Sequence, residues 1–315
     1  MTRQLAFIAS GGRTGTQFFG DMLGRVVSDC HSVHEPDMVA GLSRLTLARM
    51  RRFGVWHMGP GRLLGRTGVR VQGQALLEGR IGMETCRRRM RAMRARYHDS
   101  LSESLVVESY YAWWMVADRI DDIWPGAKLA GLLRDPRDWI ASWLRHAPRR
   151  RRGPLHELLP PGPPHPDRIG DAAAAALWPR LDQVGRLAWE WELIRRHLAD
   201  AADKNPNVRV FRFEDVFGPD RGAMHDFVRF VSDFPFGPAH TTGDLGAISG
   251  VVRNASSGPA SGPTSGAGRA WQGWSDTQIA AVDHFCGHGM RALGYGTEPA
   301  WQERVARSGT IVRGW

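Results

Sequence analysis

Residues 5–9 read Leu-Ala-Phe-Ile-Ala and residues 10–17 read Ser-Gly-Gly-Arg-Thr-Gly-Thr-Gln, and this stretch decides the fold. The unbroken apolar run is typical of a strand that is buried on both faces of a parallel sheet. Beyond the glycine-rich turn, apolar residues recur on one helical face over 18–27. The chain therefore opens with a buried strand, a glycine turn and a helix.

Three further segments have the pattern of strands, and helical patterns separate them. The strands are predicted at 105–107, 128–133 and 208–213, and the helices at 81–97, 136–145, 172–199, 221–231 and 276–293. Strands that alternate with helices predict an α/β protein with a parallel sheet and helices on its faces. We expect one domain over 1–315, with an Arg- and Pro-rich surface excursion at 147–171 and a flexible Gly/Ser/Pro-rich loop at 249–268.

The composition is that of a globular protein with excess positive charge. Hydrophobic residues make up 42% of the 315 residues and charged residues 23%, which excludes a disordered or fibrous class. No apolar run approaches the roughly 20 residues that cross a bilayer. The net charge is +10, and all 42 basic residues except Lys128 and Lys204 are arginine. A GC-rich genome or an anionic ligand would each explain this bias.

The cysteines indicate a reducing compartment. Cys30, Cys86 and Cys286 are odd in number, widely spaced and without a CxxC pair, so we expect neither a disulfide framework nor a metal site. Only four residues precede the first apolar run, and no small-residue cleavage site follows it. We therefore expect a cytoplasmic protein with no signal peptide and, because no apolar run is long enough to cross a bilayer, no membrane partner.

The turn at 10–17 has the features of an anion-binding loop. Between a buried strand and a helix, consecutive backbone N–H groups and the positive helix end converge on one point, which suits a phosphate or a sulfate. It is not a Walker A loop, because Thr16 follows Gly15 where that motif has Lys and then Ser or Thr. A tight glycine turn without a ligand is the alternative.

A second candidate site follows the predicted strand at 128–133. Asp135 and Pro136 are suited to cap and to begin a helix. Arg134 then lies at the carboxyl edge of the sheet, where open α/β folds bind ligands. Ser142, two helical turns further on, is placed to share an anion with Arg134. A salt-bridged helix cap is the alternative.

Together the two loops resemble the sulfotransferases that use 3′-phosphoadenosine 5′-phosphosulfate (PAPS). Residues 12–16 resemble the 5′-phosphosulfate loop of that family, and Arg134 with Ser142 resembles its 3′-phosphate motif. Four other segments are similar to further parts of these enzymes, namely 125–128, 212–215, 268–271 and 293–295.

This resemblance implies a P-loop NTPase-like sulfotransferase fold with PAPS as the co-substrate. It also implies nucleotide-binding roles for Gly12, Arg13, Thr14, Gly15, Thr16, Gln17, Arg134, Ser142 and Arg269.

The loop is closer to the branch with Arg-Ser-Gly-Thr, as in tyrosylprotein and many bacterial and carbohydrate sulfotransferases, than to the branch that acts on phenols and steroids. That second branch has Lys-Ser-Gly-Thr-Thr-Trp. In this chain Arg13 replaces the lysine, Thr14 replaces the serine and Gln17 replaces the second threonine.

The resemblance further implies a general base. In the arginine branch, a glutamate about 21 or 22 positions beyond the loop's basic residue takes the acceptor's proton, and Glu35 stands 22 positions after Arg13. Its neighbour His34 is one alternative, and a structural role for both residues is another. On an extended segment the two side chains would point to opposite faces. Glu108, at the end of the second predicted strand, is a further candidate.

The expected reaction moves the sulfonate group of PAPS to a hydroxyl or amine of a small metabolite or a saccharide, without a metal. Arg13 is expected to stabilise the leaving phosphate, and Glu35 or His34 to accept the proton. Two alternatives remain, a small-molecule kinase that needs magnesium and ATP, and a basic protein that binds polyanions. Most of the arginines over 87–96 have the pattern of a solvated helix face, and a nucleic-acid patch is the alternative. We expect no nucleic-acid partner, because no aromatic residue interleaves with these arginines before Tyr97. The oligomeric state is not predicted.

Overall fold

The computed structural model describes residues 3–37, 44–150, 162–235, 239–243 and 267–312. Within these ranges, the strands of one parallel sheet are β1 Gln4–Ser10, β2 Cys30–His34, β3 Leu105–Ser109, β4 Lys128–Leu133 and β5 Val208–Arg212. Their order is β2-β3-β1-β4-β5, so β1 is central and its carboxyl end lies between those of β3 and β4.

The strands alternate with helices along the described chain. The α-helices are α1 Thr16–Val26, α2 Arg44–Phe53, α3 Val55–Met58, α4 Pro60–Leu63, α5 Val69–Leu77, α6 Met83–Asp99, α7 Ile120–Ile123, α8 Pro136–Arg150, α9 Pro166–Ile169, α10 Ala172–Leu177, α11 Gln183–Lys204, α12 Phe213–Val216, α13 Gly222–Ser232, α14 Asp276–Ala292 and α15 Pro299–Val312. Short 3₁₀ helices cover Tyr111–Arg119, Trp178–Arg180 and Ala267–Gly273.

Apolar residues of β1 face two separate cores, one on each side of the sheet. Phe7 and Ala9 belong to a core with α11 and α14, whereas Ala6 and Ile8 belong to a core with α1 and α13. Helices therefore cover both faces, and the predicted α/β class with a parallel sheet is confirmed. This arrangement is consistent with the P-loop-like sulfotransferase fold that the resemblance implies.

The strand β2 and the break in one helix were not predicted. The helix expected over 172–199 is divided into α10, a 3₁₀ turn and α11. Pro179 lies in the 3₁₀ turn, where its ring and missing N–H disfavour a continuous helix. Asp182 then caps α11, because its carboxylate accepts from the N–H of Gly185 at 3.0 Å.

The two predicted irregular segments fall largely outside the described residues. The excursion at 147–171 begins with the end of α8 and closes with α9, whereas its central part at 151–161 is not described. Of the loop predicted at 249–268, only 267–268 is described, at the start of a 3₁₀ helix. Among the described helices, none is both long and apolar enough to cross a membrane.

Two glycines bring α1 very close to β2. A Cβ atom on Gly20 would lie 2.5 Å from the backbone nitrogen of His34, and one on Gly24 would lie 2.9 Å from the carbonyl oxygen of Cys30. The Ser32 hydroxyl donates to the carbonyl of Gly20 at 2.9 Å and accepts from the N–H of Gly24 at 2.7 Å. It thus bridges two groups that an α-helix ordinarily joins directly. The helix that follows the glycine loop is therefore bonded to the strand that ends at His34.

We expect Gly20→Ala to destabilise the fold by about 1–3 kcal/mol, because the new methyl group overlaps the backbone of β2. The matched control is Gly309→Ala in α15, where an added Cβ meets nothing within 4 Å. The stability of that variant should equal or slightly exceed that of the wild type, since alanine has a higher helix propensity than glycine. Urea denaturation measures both, and equal stability of the two variants would contradict the close packing.

Candidate active site

The loop between β1 and α1 has an unusual backbone. Gly12, Arg13 and Gly15 have φ values of 76°, 60° and 77°, all in the left-handed region. Glycine adopts this region readily, whereas a residue with a side chain pays a conformational penalty there. Arg13 is thus held in a strained conformation in the loop predicted to bind an anion, and strain of this kind is concentrated at functional sites.

Aromatic side chains hold this loop from several directions. Trp139, on α8, donates its indole N–H to the carbonyl of Gly12 at 2.9 Å. A Cβ atom on Gly12 would lie 2.9 Å from Trp143, and one on Gly15 would lie 2.7 Å from Phe217. Only glycine fits between these rings, so the rings fix the course of the backbone.

The loop presents hydrogen-bond donors toward the start of α1. Gly15 occupies the N-cap position of α1. Because glycine has no side chain, it makes no side-chain capping bond to the N–H groups of the first turn. The first N–H groups of a helix have no partner within the helix, so they are available to an anion. The Thr14 hydroxyl is buried and has no hydrogen-bond partner in the described part of the chain. Thr16 and Gln17 lie in the first turn of α1.

The structure brings Arg13 to Ser142. The Arg13 Nε donates to the Ser142 hydroxyl at 3.4 Å, and Ser142 is buried on α8. The loop predicted for the 5′-phosphosulfate and the serine predicted for the 3′-phosphate therefore form one continuous site. Asp138, one helical turn before Ser142, connects this site to Arg134, because its carboxylate lies 3.7 Å from that guanidinium.

Arg134 is held in place but is weakly neutralised. Its guanidinium lies 4.9 Å from the centroid of the Phe213 ring, and its buried Nε has no hydrogen-bond partner among the described residues. Burial and the nearby Asp135 raise the pKa of Asp138 to about 6, against the opposing effect of Arg134. At pH 7 this carboxyl group is still mostly ionised, so the buried and unpartnered Nε is the feature that makes Arg134 suited to an anion.

The segments at 212–215 and 293–295 meet beside Arg134. Glu214 accepts from the backbone N–H of Asp135 at 3.1 Å and from the Tyr295 hydroxyl at 2.5 Å. The guanidinium of Arg212 lies 4.6 Å from the centroid of the Tyr295 ring. Through these contacts, the loop that contains Arg134 is attached to the end of β5 and to the residues that follow α14.

Glu35 directly follows β2 and is mostly buried, with 14% of its side chain exposed. Its backbone N–H donates to the carbonyl of Ser109 at 3.1 Å. Burial and the nearby carboxylate of Asp37 raise its pKa to about 7, although Arg49 and Arg62 act in the opposite direction. A carboxyl group with a pKa near neutrality is suited to general-base catalysis.

His34 and Glu35 do not point to opposite faces, so that prediction is wrong. Glu35 has a φ of 44°, which breaks the alternation of the strand and leaves its carboxylate 3.9 Å from the His34 Nε2. The His34 Nδ1 bonds to the carbonyl of Ser109 at 3.0 Å. Burial lowers the pKa of His34, which favours the neutral ring. The two side chains therefore lie beside each other just beyond the carboxyl end of β2.

A buried network of charges anchors the segment that carries Glu35. Arg94, on α6, donates to both oxygens of Asp37 at 3.2 and 3.3 Å and to Glu108 at 2.9 Å. His57 bonds to Asp37, and His98 to Glu108, each at 2.9 Å. Opposite charges hold the pKa values of both carboxyl groups below their usual range. Because both Glu108 oxygens are engaged and its side chain is fully buried, the geometry favours Glu35 over Glu108 as the base.

Two further predictions concern arginines. Most of the arginines over 87–96 were expected on a solvated helix face, and Arg94 is an exception, because it is fully buried between two carboxylates. Arg269, the remaining predicted nucleotide ligand, lies in the 3₁₀ helix Ala267–Gly273, but its side chain falls outside the described part of the chain. Its role stays a prediction.

No protein-family model and no curated protein matches the chain. Among solved structures, the chain is similar to a sulfotransferase domain from the curacin biosynthetic pathway, with 14% identity, 76% of each chain covered and a TM-score of 0.37. Because the identity and the TM-score are this low, the function proposed below rests on the geometry of this chain's own residues.

Replacing Glu35 by Gln should remove a pH dependence of stability. The folded state holds a proton on Glu35 up to a pH of about 7, whereas the unfolded chain releases it near the ordinary pKa of 4.5. This contribution is fully present below pH 4.5 and is lost as the pH rises to about 7, at a cost of up to about 3 kcal/mol.

Urea denaturation of the wild type and Glu35→Gln across this pH range measures the difference. Glu84→Gln, on an exposed carboxylate of α6, is the control and should show no such divergence. If wild type and Glu35→Gln keep a constant difference across the range, Glu35 does not have a raised pKa.

Proposed function

We propose that this protein is a sulfotransferase that moves the sulfonate group of PAPS to a hydroxyl or amine of an acceptor. The observation that carries the proposal is the contact between Arg13 and Ser142, which unites the two predicted phosphate motifs at the carboxyl ends of neighbouring strands β1 and β4. In open α/β sheets this edge is where ligands bind.

Separate groups would hold the two phosphate positions of the nucleotide. The glycine loop supplies backbone N–H groups and Arg13 for the 5′-phosphosulfate, and the rings packed against Gly12 and Gly15 hold that backbone in place. Arg134 and Ser142 supply a planar cation and a hydroxyl for the 3′-phosphate. The unpartnered Thr14 hydroxyl and Arg134 Nε fit this assignment, because a bound phosphate would give both atoms partners.

The transfer would break the bond between sulfur and the bridging oxygen of the donor and form one between sulfur and the acceptor atom. Arg13 and the loop N–H groups would neutralise the negative charge that develops on the leaving phosphate. Arginine remains protonated, so Arg13 would act by its charge and not as a proton donor. By analogy with phosphoryl transfer, positioning and charge stabilisation would supply most of the rate enhancement.

Glu35 would take the proton that the acceptor loses. Its pKa of about 7 allows it to be ionised before the transfer and to hold the proton afterwards. His34 is the alternative base, since its ring lies 3.9 Å from the same carboxylate. The acceptor is proposed to be a small metabolite or a saccharide that carries the hydroxyl or amine.

The first test concerns the nucleotide. We expect 3′-phosphoadenosine 5′-phosphate (PAP) to bind much more tightly than 5′-AMP, and Arg134→Met to abolish most of the difference while keeping an apolar chain against Phe213. Loss of a charged partner of a buried phosphate costs about 2–5 kcal/mol. Calorimetry measures the affinities, and Arg196→Met, on the half-exposed arginine of α11, is the control. Equal affinities of the wild type for PAP and 5′-AMP would show that the 3′-phosphate assignment is wrong.

The second test concerns the base. Glu35→Gln should lower turnover by about 10²–10⁴-fold, the usual contribution of a general base, and should leave PAP affinity nearly unchanged. The measurement is PAP release from PAPS with a panel of hydroxyl and amine acceptors, and His34→Asn is the paired variant. If His34→Asn abolishes turnover while Glu35→Gln is normal, the base is His34.

A further inference from the structure

The described surface has one concentrated apolar region. Every exposed large apolar side chain of the described residues lies between positions 47 and 64, on the short helices α2 to α4 and the turn after them. The exposed fractions are 90% for Leu63, 67% for Val55 and 53% for Trp56, and Leu47 and Leu64 complete the set. Exposed apolar side chains scattered singly are normal, but a cluster of this kind marks an interaction surface.

Arginines lie among these apolar side chains. Over 44–66 the sequence has six arginines, and no acidic residue occurs from 38 to 77. Arg44, Arg51, Arg52 and Arg66 are exposed, whereas Arg49 and Arg62 are half-buried. We name residues 44–66 the basic apolar surface.

We propose that the basic apolar surface binds an anionic lipid bilayer. Tryptophan and leucine side chains on short helices can enter the boundary between headgroups and acyl chains, while arginines contact the lipid phosphates. A second copy of this chain, bound through the same surface, is disfavoured. Its arginines would face the arginines of the first copy, and the surface has no carboxylate to pair with them. A protein partner is also disfavoured, because four of the five exposed apolar side chains are leucine or valine, which are under-represented among the energetic hot spots of protein interfaces.

The basic apolar surface is bonded to the segment that carries Glu35. The Arg62 guanidinium donates to the carbonyl of Asp37 at 2.6 Å, and His57 bonds to the Asp37 carboxylate at 2.9 Å. Asp37 is two residues beyond Glu35. This step rests on the proposed sulfotransferase function. The acceptor hydroxyl or amine would then lie at the membrane–water interface, on a lipid headgroup or a lipid-anchored molecule.

This proposal departs from the expectation that the protein has no membrane partner. That expectation rested on the lack of an apolar run long enough to span a bilayer, and the structure likewise has no spanning helix in its described part. Peripheral binding requires neither, because short amphipathic helices with a basic face lie in the plane of the interface.

Flotation of the full chain with lipid vesicles tests the proposal. We expect binding to vesicles of phosphatidylcholine mixed with phosphatidylglycerol, and none to phosphatidylcholine alone. Arg51→Gln/Arg52→Gln should weaken binding about tenfold or more, given the attraction of each arginine to anionic lipid. Leu63→Ser/Leu64→Ser should weaken it comparably, through loss of buried apolar area. The control Arg88→Gln/Arg229→Gln removes the same charge from exposed positions on α6 and α13, and binding should change by less than about twofold.

Several outcomes would overturn the membrane assignment. These are equal binding to neutral and anionic vesicles, an equal loss in the control variant, or capture by polyglutamate in place of vesicles, which would identify a protein partner. A dimer that Leu63→Ser/Leu64→Ser dissociates, seen by sedimentation, would identify a second copy instead. Calorimetry with PAP on the same variants separates the two proposals. Vesicle binding without PAP binding would refute the nucleotide assignment alone, and PAP binding without vesicle binding would refute the membrane assignment alone.

Discussion

Trp139, Trp143 and Phe217 leave room only for backbone where the chain passes from β1 to α1. The site depends on this constraint, because it excludes side chains at Gly12 and Gly15 and holds Arg13 in the left-handed region. No side chain of the described residues caps the start of α1, and Arg13 reaches Ser142 on α8, the helix that carries both tryptophans. A loop with larger residues at the glycine positions could not pass between the rings.

Helix α1 connects the proposed phosphate loop to the segment that carries Glu35, the proposed base. α1 packs on β2 through Gly20, and β2 ends one residue before Glu35. From the opposite side, the Asp37–Arg94 pair fixes the segment beyond Glu35 within the core. The proposed donor site and the proposed base are therefore held by rigid elements, which is the arrangement that transfer by positioning and charge stabilisation requires.

The sequence predicted the parts of this structure that depend on local pattern. β1, β4 and the helix after each have long apolar periodicity and strong turn signals, so the class of fold and the position of Arg134 followed from them.

β2 was missed because Cys30–His34 is short and contains two histidines, and it becomes a strand by pairing with β3. The burial of Arg94 was not predicted because Arg94 belongs to a run of arginines on one helix, and its carboxylate partners are 57 and 14 positions away in the sequence. The positive φ of Glu35 likewise has no local signal. Trp139 and Trp143 are four residues apart on a helix, so their spacing did indicate that both rings lie on one face.

The central claim is that one site at the carboxyl ends of β1 and β4 holds both phosphates of a 3′-phosphorylated nucleotide. A crystal structure of the chain with PAP tests it most directly. The account predicts the 5′-phosphate within hydrogen-bond distance of the backbone N–H groups over 12–17, and the 3′-phosphate in contact with the Arg134 guanidinium and the Ser142 hydroxyl. A nucleotide bound elsewhere, or one whose 3′-phosphate points to solvent away from Arg134, would contradict it.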